Sequence, residues 1–436
     1  MAKASTLRLQ SIDMLRGIAA LAVVFLHVPC RSSTWGESPD LKYWLFLPFE
    51  FGWLGVPLFI VLSGFCIHAN TLRDADGPSG NQLGVNWRRF WMRRFVRLYP
   101  PYVAAVALSV VVIGVLYLAV QDQHFITKDY FDGQGLKGSH AATDIALHLL
   151  MVHNLFAGFG MSLGNGPLWS LGMEEQLYAL YFVYLLLRRQ LPRWTVMLAI
   201  FGISAIAWPL WNAHGPSAVP LGGVALGDWA IWPFTYWFAW CLGTLAAEAY
   251  HGRLHLPWWC RSAPVGLLAL LGLMTFHTYV WQPLTGAPSV GMAATAWLGW
   301  EGSAASVLTF TLNRAAGLLA PVSFFILTNA AVAHELRQGA APRGWRPALA
   351  WVGLFSYSLY LTHVPIIHLL GHFLRFREPA SILMIAGRYA FCVPVCVGFG
   401  WLFFHLVERH FLVKKPRHQP SGLPSTAAPA VQRQAA

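Results

Sequence analysis

Residues 12–28 read IDMLRGIAALAVVFLHV, and this run decides the fold class. It is almost wholly apolar and long enough to cross a bilayer, which takes about 17–25 residues of helix. Yet it holds Asp13, Arg16 and His27. At roughly 100° and 1.5 Å per residue, Arg16 and His27 share one helical face and lie about 16 Å apart along the axis. Ionisable groups inside a membrane span are costly, so each is a functional candidate. A cation near one end of a stripe and an imidazole near the other could link chemistry across the two halves of a membrane.

The rest of the chain has the same character. Of its 436 residues 56% are hydrophobic and 11% charged, against about a quarter charged in soluble domains. Further apolar runs fall at about 51–69, 102–120, 168–187, 194–211, 229–250, 265–280, 316–334, 348–370 and 382–407. The expectation is an all-α polytopic membrane protein of about ten transmembrane helices, because helices satisfy their backbone internally in lipid. The short alternating segments of a membrane barrel are not evident. Residues 1–413 form one transmembrane domain. Residues 414–436 are a tail, basic at first and then Pro/Ser/Ala/Gln-rich, with a disordered composition.

The net charge of +12 comes from cations that cluster in short loops between apolar runs. That is a topology signal, and it places both termini in the cytoplasm. It makes the lipid bilayer, not nucleic acid, the partner of the basic charge. Six cysteines are present, with no CxxC pair, so neither a metal framework nor a disulfide scaffold is implied. The first apolar run lacks a convincing cleavage site and reads as a retained helix. Residues 29–50, 121–168 and 281–313 read as outer segments, with 144–156 amphipathic or re-entrant.

This topology puts His27, the Glu174–Glu175 pair and His363 at a similar outer depth. Ser356 and Tyr360 share the His363 face. A histidine there could act as general base toward a hydroxyl, oriented by a carboxylate or a second histidine. On the inner side Arg16 joins Arg94 and Arg97 from WRRFWMRRFVRLYPPY, residues 87–102. Guanidinium groups suit phosphate through paired hydrogen bonds. The same arginines also fit a plain topology anchor and lipid-headgroup contact. His68 reads equally as an interfacial packing residue, and Asp13 as a partner of Arg16 or a first-turn cap.

Five stretches together resemble the acyltransferase family 3 membrane proteins. They are LRLQSIDMLRGIAALAVVFLHV with Arg16 and His27; GVPLFIVLSGFCI with Ser63, Gly64 and Phe65; RRFVRLYPPY; LWSLGMEEQLY; and FSYSLYLTH with Tyr360 and His363. They occur in order from residue 7 to residue 363. The resemblance implies transfer of an acyl group, commonly acetyl, from cytoplasmic acyl-CoA to a hydroxyl of a carbohydrate. Typical acceptors are bacterial surface polysaccharides or their lipid-linked precursors, which implies the cytoplasmic (inner) membrane and neighbouring polysaccharide-assembly machinery. By motif position His27 corresponds to the essential first-helix histidine and Arg16 to its paired arginine. Arg94 and Arg97 correspond to the donor-associated arginines, and Glu174 to the family glutamate. Acyl-CoA is a co-substrate and no bound cofactor is implied. Phe59-Ile60 stands where relatives often have two aromatics. The chain reads as the stand-alone form, without the SGNH hydrolase-like domain that some relatives carry. The rival reading is a polytopic transporter or exporter of a lipid-linked sugar, using the intramembrane charges as a substrate path.

Overall fold

The structure, a computed structural model, describes residues 9–28, 40–75, 85–119, 138–207, 220–221, 224–225, 231–338, 344–376 and 380–412. The chain ends and the tail at 414–436 lie outside these residues.

The first apolar run is helix α1, Gln10–His27. Its N-cap residue Leu9 supplies no side-chain cap. Glu335, far along the chain, instead accepts the first-turn amides of Gln10 and Ser11 at 2.9 and 2.8 Å. A carboxylate at a helix N-terminus satisfies orphan donors and complements the helix dipole.

Helix α2, Leu41–Glu50, is capped by Asp40 and leads through a 3-10 turn into α3, Gly55–Ala75. Residues 41–50 are therefore helical, where the sequence reading has an outer loop. Helix α4, Trp87–Ala119, runs through Pro100 and Pro101, so the arginine-rich segment and the third span are one helix. The proline pair does not separate them. Pro lacks an N–H, but neighbouring side chains can take up freed backbone groups, and Tyr357 donates to the Leu98 carbonyl at 2.9 Å beside this turn.

Helix α5, Gly138–Leu149, covers the first part of the expected amphipathic stretch at 144–156. Helix α6, Trp169–Gln190, carries both glutamates. Helix α7, Arg193–Gly202, continues into a π turn at Ile203–Ala207. A two-residue antiparallel ladder, Pro220–Leu221 with Val224–Ala225, precedes α8, Pro233–Tyr250. Helices α9 (Ala263–Phe276) and α10 (Thr278–Thr285) are bent by 54°. Helices α11 (Val290–Leu298) and α12 (Gly302–Gln338) then fill much of the region read as outer loop at 281–313. The expected span at 348–370 is broken into α13 (Arg346–Leu354) and α14 (Ser356–Phe373), bent by 78°. Helix α15 is Ile382–Leu406.

Among the described residues five helices are long and apolar enough to cross a membrane, or seven if each bent pair is one span. That is fewer than the ten expected. The described parts of the segments at 168–187, 194–211 and 229–250 form helices without meeting this test; α6 holds Glu174, Glu175, Arg188 and Arg189, and α7 is only ten residues long.

Two close crossings set the frame. A Cβ on Gly64 would overlap the Trp240 carbonyl oxygen, and one on Gly243 the Val61 carbonyl oxygen, so α3 and α8 meet backbone to backbone. A Cβ on Gly17 would overlap the Leu349 carbonyl, and one on Gly353 that of Asp13. These join α1 to α13. Small residues allow helices in lipid to approach this closely.

Candidate active site

His27 ends α1, and His363 stands in the middle of α14. Parallel packing brings them together. Gly353 rests on Asp13 near the N-terminal end of α1, and the two helices then run side by side. His363 Nε2 lies 3.4 Å from His27 Nδ1, with the rings edge to face at 5.0 Å.

The partners fix the tautomers. A carbonyl can only accept, so His363 Nδ1, 2.8 Å from the Tyr360 carbonyl, carries its proton. His363 Nε2 is then a lone pair. His27 Nδ1 lies 2.8 Å from the Val23 carbonyl and so also carries a proton, shared with His363. This leaves the lone pair of the neutral His27 ring on Nε2, for which no hydrogen bond occurs among the described residues. His363 is fully buried, whereas His27 is partly exposed. The second histidine therefore backs the first, and the first faces outward. His368, not singled out in the sequence, is within electrostatic reach of both. It stands five residues from His363, off the helical stripe, so spacing gives no cue to it.

Glu174 sits elsewhere. It accepts 2.6 Å hydrogen bonds from Ser63 and from Tyr178, and no hydrogen bond or ion pair joins it to His27 among the described residues. Tyr360 explains the depth. Its hydroxyl is 2.6 Å from that of Ser170 and donates to the Pro167 carbonyl. Helix α6 therefore starts inside the bundle, beneath the segment that precedes it. At about 1.5 Å per residue, Tyr360 lies roughly 4.5 Å inward of His363, and Glu174 roughly 6 Å inward of Ser170. The sequence reading, which takes α6 to start at the outer surface, puts Glu174 too far out.

Glu174 belongs instead with the cations. Its charge acts on Arg16 and on Arg94. Arg16 reaches the Cys66 sulfur at 3.5 Å. The Arg94 guanidinium lies 3.5 Å over the Phe90 ring and 5.1 Å from the Tyr178 ring centre. Stacking on aromatic faces suits a delocalised cation. Arg97 is exposed and, among the described residues, does not join this cluster by a hydrogen bond; it acts electrostatically on Glu408. Glu408, unremarked in the sequence, holds the start of α14 by accepting from Ser358 Oγ at 2.5 Å. Ser63 thus has a polar role, Gly64 a packing role, and Phe65 a place in the core.

Two further buried polar groups lie outside this site, and the first gives polar partners to His68, which the sequence leaves as a packing residue. His68 meets the Tyr181 hydroxyl at 2.9 Å and Glu248 at 3.6 Å, and Glu248 also pairs with Arg193. This network ties α3, α6, α7 and α8. Asp144 and His148 pair at 2.9 Å, and the His148 ring stacks on His153 at 3.8 Å. The His68 network joins residues far apart in the chain, which only the tertiary fold makes visible, whereas Asp144 and His148 form a local i,i+4 pair.

Helical spans, an imidazole pair at the C-terminal end of α1 and an arginine–glutamate cluster nearer its N-terminal end describe a polytopic membrane protein with a polar centre at two depths. A family profile described as "Acyltransferase domain" (acyltransferase 3) matches residues 9–405, and the chain belongs to that family. Among curated relatives, the peptidoglycan O-acetyltransferase OatA of Listeria monocytogenes is 26% identical over 398 residues, covering 87% of this chain and 53% of that protein. The putative peptidoglycan O-acetyltransferase YrhL of Bacillus subtilis is 24% identical, covering 82% of this chain and 48% of that protein. The acyltransferase MdmB of Streptomyces mycarofaciens is 24% identical, covering 95% of this chain and 94% of that protein. The chain thus spans about half the length of the first two relatives. No solved structure matches it.

Proposed function

We propose that this protein transfers an acyl group, acetyl by the names of its relatives, from acyl-CoA to a hydroxyl of a cell-surface carbohydrate or its lipid-linked precursor, in the bacterial cytoplasmic membrane. The observation that carries the reading is the His27–His363 pair, with one imidazole nitrogen unbonded among the described residues, about 16 Å from Arg16 along α1. The CoA phosphates dock from the cytoplasm at Arg16, Arg94 and Arg97. The pantetheine arm reaches up to His27. Glu174 holds Arg16 and Arg94 in place through its charge, and is itself fixed by Ser63 and Tyr178. His363 positions His27.

The chemistry uses His27 Nε2. In direct transfer it takes the proton of the acceptor hydroxyl as the oxygen attacks the thioester carbonyl; the C–S bond breaks and the CoA thiolate leaves, taking up that proton. In the covalent route Nε2 itself attacks the carbonyl, the C–S bond breaks and CoA leaves as the thiolate; the hydroxyl then attacks the acyl-imidazolium, the C–N bond breaks, and the hydroxyl proton passes to the thiolate. Rapid acid quench and peptide mass spectrometry separate the two, since only the second puts an acyl mass on the His27 peptide.

One observation favours the transporter reading: the 78° break at the start of α14, because broken helices mark transporter sites. Labelled acetyl-CoA with the purified full chain and a carbohydrate acceptor discriminates. The enzyme labels the acceptor; a transporter leaves it unlabelled. Surface polysaccharide compared by mass spectrometry with and without the protein then identifies the acceptor.

A further inference from the structure

A cavity of about 270 Å³ lies outside the residues assigned so far. It opens between the start of α3, the start of α8, the end of α9 and the middle of α12. Its walls include Trp53, Tyr236 and His277, with Thr235, Ser289 and Asn313 as polar lining. We propose that this cavity is the acceptor subsite and holds one sugar ring of the carbohydrate whose hydroxyl is acylated. The inference rests on the reading of the protein as a carbohydrate acyltransferase.

Three observations support it. The first is chemical. Aromatic faces and short polar side chains together match a pyranose, which presents C–H faces and a rim of hydroxyls. The Trp53 indole N–H is buried without a hydrogen-bond partner among the described residues. A buried donor left unpaired is costly, and a sugar hydroxyl is the acceptor it lacks. His277 Nδ1 accepts from the Tyr279 amide, so its Nε2 carries the proton and is a second donor.

The second is size. Drug-sized ligands fill about 300–1,000 Å³. This cavity lies just below that range, which suits one ring and excludes the bulk of CoA.

The third is position. Gly52, next to Trp53, packs directly on Ala22 and Leu26 of α1, one turn from His27. On the other wall the Tyr236 ring lies 5.8 Å from that of Trp169, tilted by 45°, and acts electrostatically on Tyr360. The Tyr360 ring is 5.7 Å from that of His363. The cavity thus flanks the imidazole pair from the side of α3 and α8, at the outer end of the bundle, while the arginines lie toward the inner end. Donor and acceptor would approach the same nitrogen from different directions.

Gly317 lines the cavity, and a Cβ placed on it meets nothing within 4 Å. Gly317→Phe therefore fills the space without a backbone clash. The test uses the full chain in lipid nanodiscs, with methyl glycosides of glucose, galactose and N-acetylglucosamine as probes. Saturation-transfer NMR reads sugar binding, and acyl transfer to the same glycosides reads turnover. The expected result is that at least one probe binds the wild type, that Gly317→Phe weakens that binding tenfold or more, and that it raises the acceptor KM while the acyl-CoA KM is unchanged. Asn313→Ala, at the exposed lip, gives a smaller change in the same direction. If no probe binds, or if Gly317→Phe binds sugar like the wild type, the subsite is refuted. Failure of the broader reading is distinct: the wild type would then transfer no label from acetyl-CoA to any carbohydrate, whatever the sugar-binding result.

Discussion

At the level of single residues, the proposed chemistry depends on one lone pair. Val23 and His363 occupy His27 Nδ1, and Nε2 is left for substrate. Removing His363 loosens the ring without removing the base. His363→Ala should lower the transfer rate by about tenfold, whereas general-base loss in His27→Ala should cost about 10²–10⁴-fold. Steady-state kinetics on both variants at matched expression checks the order. Glu174 makes a second prediction. Ser63→Ala and Tyr178→Phe each remove one of its donors, and hydrogen bonds to charged groups are worth about 1.5–3 kcal/mol. Each variant should raise the acyl-CoA KM by about tenfold, and the double variant by less than the product, because the two share one partner. Donor titration of the three variants tests this; an unchanged donor KM with a changed acceptor KM would put Glu174 on the wrong substrate. His27, His363 and Arg16 are legible in the sequence because helical spacing and chain order fix their faces and depths. The register of α6 against α14 is not, since it depends on Ser170 meeting Tyr360 across 190 residues. The depth of Glu174 is hidden for that reason. Glu335, Glu408 and His368 are hidden too, because their partners are far away in the chain or off the stripe.

Among the elements, the Ser63-Gly64-Phe65 stretch works through backbone contact as much as through side chains. Gly64 and Gly243 each leave room for the other helix's carbonyls. Overpacking a core costs about 1–3 kcal/mol, and here the obstruction is backbone, which cannot rotate away. Gly64→Leu and Gly243→Leu should lower the thermal midpoint markedly or prevent recovery of a monodisperse protein. Gly114→Ala on α4, where a Cβ meets nothing within 4 Å, should not. A fluorescence-detected thermal ramp in detergent compares them; equal midpoints for all three would mean that the crossing contributes nothing to stability. Hydropathy locates the helices well where one apolar run makes one straight span, as for α1 and α15. It fails where the run is broken or extended. The span at 348–370 divides at Phe355, and the one at 316–334 begins at Gly302. No proline or glycine occupies the break at Phe355, so composition gives no sign of that 78° bend.

For the molecule as a whole, the proposed transfer needs two chemically different ends. Arginines cluster where the cytoplasm is expected, and the imidazoles and the aromatic cavity lie toward the other face. His255, in the segment after α8, and Thr285, at the end of α10, are both exposed. Single cysteines at these positions, with the native cysteines replaced by serine, should react with a membrane-impermeant maleimide from opposite sides of intact cells or spheroplasts. Labelling of both from one side would overturn the topology. The expected sidedness rests on the sequence alone, because the positive-charge bias depends on loop composition. The meeting of α1 with α14 is not, because it joins residues 336 positions apart.

The proposed mechanism turns on His27 carrying the transfer between a cytoplasmic thioester and an outer hydroxyl. Its sharpest test is transfer from labelled acetyl-CoA to a carbohydrate acceptor by the purified full chain, with the wild type and His27→Ala compared in the same membranes. The expected outcome is a labelled acceptor with the wild type and a loss of at least ~100-fold in the variant. Undiminished labelling by folded His27→Ala protein would contradict it.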